Sequence, residues 1–217
     1  MLDTKLFTKR QWTLRRNETS ADSPVSFWEA TVGRIRPGQS HTHDSMELVL
    51  VTAGTGIHIL DNQRTTVREG DVLLIYPNHR HYYEECESLS MINLMYDPTR
   101  LPIPILNGAR IPLFKRFFPQ NLSHIDFRIS PEPILRFEKR EELEHMAEET
   151  RRFGQELNSM VSGNMRARII QLAHIVLRLL RLCTPMVEDE RKSGSSRWRR
   201  SWSSSTRTLR ATFLWRS

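Results

Sequence analysis

The hydrophobic pattern of this 217-residue chain changes period once, and that change limits the folds open to it. The first half, typified by "MELVLVTAGTGIHILDNQRTTVREGDVLLIYP", has short Val/Leu/Ile/Thr runs separated by "AGTG", "DNQR" and "REGD". Turn signals at such intervals predict an antiparallel barrel or sandwich. From Asn93 to Pro133 seven prolines interrupt any long element, so this stretch reads as a connector. Beyond Pro133 apolar residues recur at spacings of three and four: Leu143, Met146, Thr150, Phe153, Leu157 and Met160, then Met165, Ile169, Leu172, Val176, Leu179 and Cys183. That period predicts two amphipathic helices joined at "SGN". The second also carries Ile170, Ala173, Leu177 and Leu180, an apolar face wide enough to be buried on two sides. Ile169, Leu172, Val176 and Leu179 are therefore the expected contacts of a homodimer.

Charge is distributed unevenly. The formal net charge is +7, yet eight of the 32 basic residues and none of the 25 acidic ones lie from Arg191 onward, leaving 24 against 25 in the body. The high pI of about 9.9 thus describes the tail and gives no reason to expect a polyanion-binding face on the fold. "EKREELEHMAEETRR" is dense in both signs, as a solvated helix face is. Two distant cysteines, Cys86 and Cys183, without metal-type spacing fit free thiols in a reducing compartment. With no signal peptide pattern and no run of membrane-spanning length, a cytoplasmic location is expected.

The chemistry-bearing stretch is "HTHDSMELVLVTAGTG". His41, His43 and Glu47 stand at even separations, so on an extended strand their side chains share one face, which in a barrel can be the lumen. His81 follows on what should be a neighbouring strand. Three imidazoles and a carboxylate are a ligand set for zinc, iron, nickel or manganese. They equally suit hydrogen bonding among themselves or to an organic ligand. Tyr76, Tyr82 and Tyr83 are aromatic and hydroxyl-bearing candidates for the lumen or its rim. Arg34 and Arg36 read as a solvated strand face and His58 as structural. No nucleophile elbow, phosphate loop or CxxC pair occurs, so no catalytic residue is assigned.

His41-x-His43-x3-Glu47-x6-Gly54, with Gly70 through Pro77 to His81, resembles the two motifs of the cupin superfamily. More narrowly, "HTHDSMELVLVTAGTGIHIL", "REGDVLLIYPNHRHYY" and "MINLMYDPTRL" resemble the effector-sensing domain of AraC-type transcription regulators, the subgroup of the rhamnose-operon activators. The resemblance extends from about residue 30 to residue 184. It implies a cupin-type jelly-roll barrel over residues 1–105, an irregular connector over 106–133 and an antiparallel helical hairpin over 134–184. It also implies an effector, a sugar or another small molecule, contacted by His41, His43, Glu47, Tyr76, His81 or Tyr83. No cofactor is required on that reading. A transition metal held by His41, His43, Glu47 and His81 would instead mark a cupin enzyme of isomerase or dioxygenase type. Intact members continue into a helix-turn-helix domain that binds DNA. Here residues 185–217 form a Ser/Arg/Trp tail that reads as disordered or translated out of frame, so specific DNA binding is not expected of this chain.

Overall fold

The computed structural model describes residues 10–12, 25–30, 39–100, 112–119, 133–158 and 165–186. Residues 187–217 of the tail, Arg34, Arg36 and the "SGN" break lie outside the described residues. So does most of the connector. Pro185, expected in the tail, instead ends a strand that begins at Cys183.

Nine strands of the described residues join in one mainly antiparallel sheet. They are β1 (Arg10–Trp12), β2 (Val25–Ala30), β3 (His41–His43), β4 (Met46–Leu60), β5 (Gln63–Arg68), β6 (Asp71–Ile75), β7 (His81–Tyr96), β8 (Leu135–Phe137) and β9 (Cys183–Pro185). Three helices accompany them: α1 (Pro112–Phe117), α2 (Arg140–Asn158) and α3 (Met165–Leu182). The two longest strands, β4 and β7, pair from Met46↔Tyr96 to Leu60↔His81. β4 also pairs with β5 and β6, while β2 and β3 pair with β7. β7 runs to Tyr96, so the connector begins after it rather than at Asn93.

Residue alternation on the central strands builds two cores. Met46, Leu48 and Leu50 of β4, Val72 and Leu74 of β6, and Ile92, Leu94 and Tyr96 of β7 form a layer with the helices. The intervening Val49, Val51, Leu73, Ile75 and Met91 pack together inside the barrel with Ala30, Val67, Tyr83 and Leu89. Every residue of β6 is consequently buried. Covered on both faces, such strands read as continuous apolar runs without a polar side.

The helices sit where the sequence period predicts. Glu149 pairs with Arg178 at 2.8 Å and His174 at 3.4 Å, and Gln171 donates to Glu156, so α2 and α3 run antiparallel. Thr150 satisfies its buried hydroxyl on the Met146 carbonyl. β8 and β9, which flank the two helices in sequence, pair with each other, and β8 pairs with β6. The helical segment is thereby stitched to the barrel sheet, and residues 1–186 form one compact unit.

"DNQR" is a turn, as predicted: Asp61 and Asn62 both have positive φ, 46° and 74°, as a two-residue hairpin loop demands. "AGTG" is not. Ala53 to Gly56 lie within β4, at register shifts against β7. Gly54 has a φ of +74°, and a Cβ there would lie 2.3 Å from the Ser88 carbonyl oxygen. These glycines serve close backbone approach at a bulge rather than chain reversal. Gly54→Ala should accordingly lower stability by at least about 2 kcal/mol in chemical denaturation, since both backbone conformation and contact are violated. Gly56→Ala, which meets chiefly the movable end of Leu89, should cost clearly less.

Candidate functional site

Inside the barrel, polar side chains gather at one end of β3, β4 and β7. His41 lies directly opposite His81 on the β3–β7 ladder, their ring centroids 4.2 Å apart. Glu47 shares the inward face of β4 with Val49 and Val51. Its Oε2 lies 2.9 Å from His43 Nε2 and 3.2 Å from His81 Nε2. His43, Glu47 and His81 are all buried, and His41 is partly so.

Hydrogen bonding and burial act in opposite directions on the charges of this cluster. His43 Nδ1 is 2.7 Å from the Ser45 carbonyl, so that nitrogen donates. Its Nε2 faces a Glu47 carboxylate oxygen, an arrangement that favours the protonated ring. Burial opposes that charge, but the hydrogen bond and charge of Glu47 outweigh it and raise the His43 pKa. Burial alone would push the Glu47 carboxyl upward; hydrogen bonds from His43 and His81 overcome it and hold the group well below the usual carboxylate range. For His81 burial wins and lowers the pKa. His41 falls to about 4 through burial, with His81 adding to the effect. Charge is thus favoured on His43 and Glu47 and disfavoured on His41 and His81.

The sequence-predicted residues separate into two sets. His41, His43, Glu47 and His81 come together. Tyr83 joins the inner face, stacked at 4.7 Å on His58, which lies 5.6 Å from the His81 ring. His58 is thus buried on the inner face beside the cluster, a position compatible with the structural role expected from sequence. Counting by twos from Glu47 puts residue 58 on the opposite face; the bulges between Val51 and Ile57 reverse that parity. Tyr76 is a correction. It follows the inward Ile75, so it points out of the barrel into the helix-facing core, where its hydroxyl donates to the Arg116 carbonyl. It cannot contact a lumen ligand. Ile169, Leu172, Val176 and Leu179 are a second correction: all four are buried in the core of their own chain and leave no surface for a partner. The outward apolar residues of α3 are Ile170, 64% exposed, and Leu177, 43% exposed.

The site also suits a cation. His41, Glu47 and His81 each bring one ligand atom to within 4.8 Å of the others. The Nδ1 atoms of His43, His41 and His81 face the carbonyls of Ser45, Gln39 and His79 at 2.7, 3.3 and 3.4 Å. Backbone contacts of this kind orient imidazoles whose other nitrogen binds metal. Two nitrogens and one oxygen match the preferences of a borderline divalent metal, whereas both ring nitrogens of His43 are engaged by Ser45 and Glu47.

Strand order and the inward His/Glu set define a cupin-type β-barrel. Residues 35–101 match the model of the AraC-like ligand binding domain. Over 102 residues it is 29% identical to the HTH-type transcriptional activator RhaR of Mannheimia succiniciproducens, covering 47% of this chain and 34% of that protein. Over 74 residues it is 35% identical to RhaR of Escherichia coli K12, covering 34% and 26% respectively. The match thus spans only a quarter to a third of these relatives. Among solved structures, a cupin protein from Bacteroides fragilis is 22% identical over 34% of this chain and 64% of its own, with a TM-score of 0.28. The Streptomyces nucleoside dehydratase Pac13 is 19% identical over 35% and 61%, with a TM-score of 0.30. Neither likeness bears on what the site does. Among the described residues no helix is long and apolar enough to cross a membrane.

A pH dependence follows from the buried rings. In the metal-free protein His41 is neutral when folded down to about pH 4 and binds a proton on unfolding below its ordinary value of 6.5. Stability should therefore fall as pH drops through that window, because the unfolded state binds more protons. His41→Gln should flatten the decline by up to about 1.4 kcal/mol per pH unit, the equivalent of one proton, in denaturation series across it. An unchanged slope would mean that the folded ring already carries the proton.

Proposed function

We propose that this chain is the effector-sensing portion of an AraC-type transcription regulator, binding a sugar or other small molecule inside its barrel. The observation that carries the reading is the buried His43–Glu47–His81 cluster on the inner face of an AraC-like ligand binding domain. A buried polar network is costly unless satisfied, and a protein that needed only a core could fill those positions with aliphatic residues. Directional donors and an acceptor among apolar walls suit recognition of a small polar molecule. In the intact regulator DNA would be the second partner, and ligand binding would act on it by favouring one arrangement of the molecule.

One observation favours a second reading. The His41, Glu47 and His81 donors could hold a divalent metal, which would supply Lewis acidity and serve a cupin enzyme. A single experiment weighs both. Purified protein is assayed for bound transition metal and then, after chelation, for thermal stabilisation by a sugar panel. On the sensor reading at least one sugar stabilises the metal-free protein, by roughly 2.7 kcal/mol at a hundredfold excess over its Kd. Glu47→Gln should remove most of that shift while the barrel stays folded. Stoichiometric metal that disappears in His81→Ala, with no sugar response, would decide for the enzyme.

The sensor reading includes a homodimer, for which the outward stripe of α3 is the proposed interface. Ala167, Ile170, His174, Leu177 and Arg181 are exposed at spacings of three and four, as a helix-to-helix seam requires. Ile170→Asp with Leu177→Asp should shift sedimentation from dimer to monomer and preserve the circular dichroism spectrum. Leu172→Asp with Leu179→Asp should instead unfold the chain, because both residues are buried in its own core. A wild-type monomer at micromolar concentration would refute this interface.

A further inference from the structure

We propose that Asn93 on β7, with Trp28 on β2 across from it, forms a second contact surface inside the barrel that selects a neutral polyhydroxylated ligand. This rests on the reading of the barrel interior as a small-molecule site. The ladder registers place the two residues: Trp28 is opposite Asn93, Asn93 is opposite Val49, and Val49 is opposite Leu73. Val49 and Leu73 belong to the inner core, as do Ala30 and Met91, which lie two residues from Trp28 and Asn93 on their strands. Both side chains are therefore on the inward face. In the adjacent row Glu47 is opposite Met95, two residues from Asn93, so the amide lies diagonally next to the histidine–glutamate cluster. Diagonal neighbours on one sheet face are within reach of a common ligand.

Asn93 is 4% exposed, and its Oδ1 has no hydrogen-bond partner among the described residues. A buried acceptor left unpaired is unfavourable, and every other residue in its row is apolar. An aliphatic residue would pack there without that cost, so the amide is explained by a donor that arrives from outside. Trp28 supplies the way in. It is 53% exposed although it is on the inward face, so the side chain directly across from Asn93 borders solvent. Its indole offers an aromatic face, across the ladder from the amide, to the C–H side of a polyol.

The charges choose the ligand class. The Glu47 carboxylate is already engaged by His43 and His81, at 2.9 and 3.2 Å, and among the described residues no lysine or arginine is buried. An anionic ligand would meet no unpaired cation, and a cationic one no unpaired anion. A neutral molecule with several hydroxyls can donate to Asn93 Oδ1 and hydrogen-bond the adjacent histidine–glutamate cluster without leaving a charge unpaired.

Calorimetric titration of the full chain with neutral aldohexoses and 6-deoxyhexoses, alongside the corresponding aldonates, tests the proposal. A neutral sugar should bind and its aldonate should not. Asn93→Leu should raise the Tm of the ligand-free protein while weakening sugar binding about tenfold or more. Trp28→Ala should weaken it comparably without lowering the Tm. A lower Tm for Asn93→Leu would show that the fold needs the amide and would overturn the assignment. So would wild-type affinity in both variants, or preferred binding of an aldonate, and either result would leave the barrel standing as a small-molecule site. Failure of every compound in both arms to bind the wild type would remove the sugar-sensing reading and this subsite with it.

Discussion

β4 is the strand on which the rest of the architecture depends. It pairs with β5, β6 and β7, and its successive side chains point to opposite sides of a sheet that is covered on both. Leu48 and Leu50 face the helices; Glu47 and Val49 face the barrel interior. A shift of one residue in register would exchange these sets, sending a charged carboxylate beneath α3 and leucines into the polar cluster. The two cores therefore hold the register between them, and the position of Glu47 among the histidines is a consequence of how Leu48 and Leu50 pack.

How far the sequence could be read follows from the same alternation. The shift to a period of three and four locates α2 and α3. Even spacing anticipates the convergence of His41, His43 and Glu47, although not on one strand: the chain bends at Asp44 and Ser45, so the histidines stand on β3 and the carboxylate on β4. Such counting fails where the ladder is irregular. The bulges in β4 bring His58 inward against the count, and glycines that resemble a turn prove to be the site of close approach to β7. Tyr76 was misplaced because its strand is buried on both faces, so hydrophobicity gives no indication of which residues face the lumen.

The dimer residues illustrate a different limit. α3 has apolar residues over a wide arc, and periodicity shows that arc without saying which part meets the sheet. Packing decides it: Leu172, Val176 and Leu179 cover the strands of their own chain, with Ile175 and Leu180 beside them, and only Ile170 and Leu177 remain outside. Asn93 was hidden for a related reason. It stands in "MINLMY", an apolar run that ends a strand, and nothing local distinguishes a polar residue in the lumen from one at the start of a loop. The pairing with Trp28 and Val49 makes the difference, and pairing is a long-range property.

The same geometry bears on how a ligand could be felt beyond the barrel. Glu47 and Leu48 are consecutive residues, one in the polar cluster and the other against the helical layer. A small void bounded by Leu48, Leu50, Ile92, Leu94, Thr150, Ile175 and Leu179 lies between the sheet and the helices. Interiors without such gaps transmit displacement rigidly, whereas a gap lets side chains on one side move before those on the other respond. A ligand that draws on Glu47 or Asn93 would pull on strands whose alternate residues line this gap. Of the lining residues, Ile175 and Leu179 belong to α3, the helix that also carries Ile170 and Leu177 on its outer face. Any change in the fit of the sheet against α3 would thus reach the surface proposed for the second subunit through a single layer of side chains.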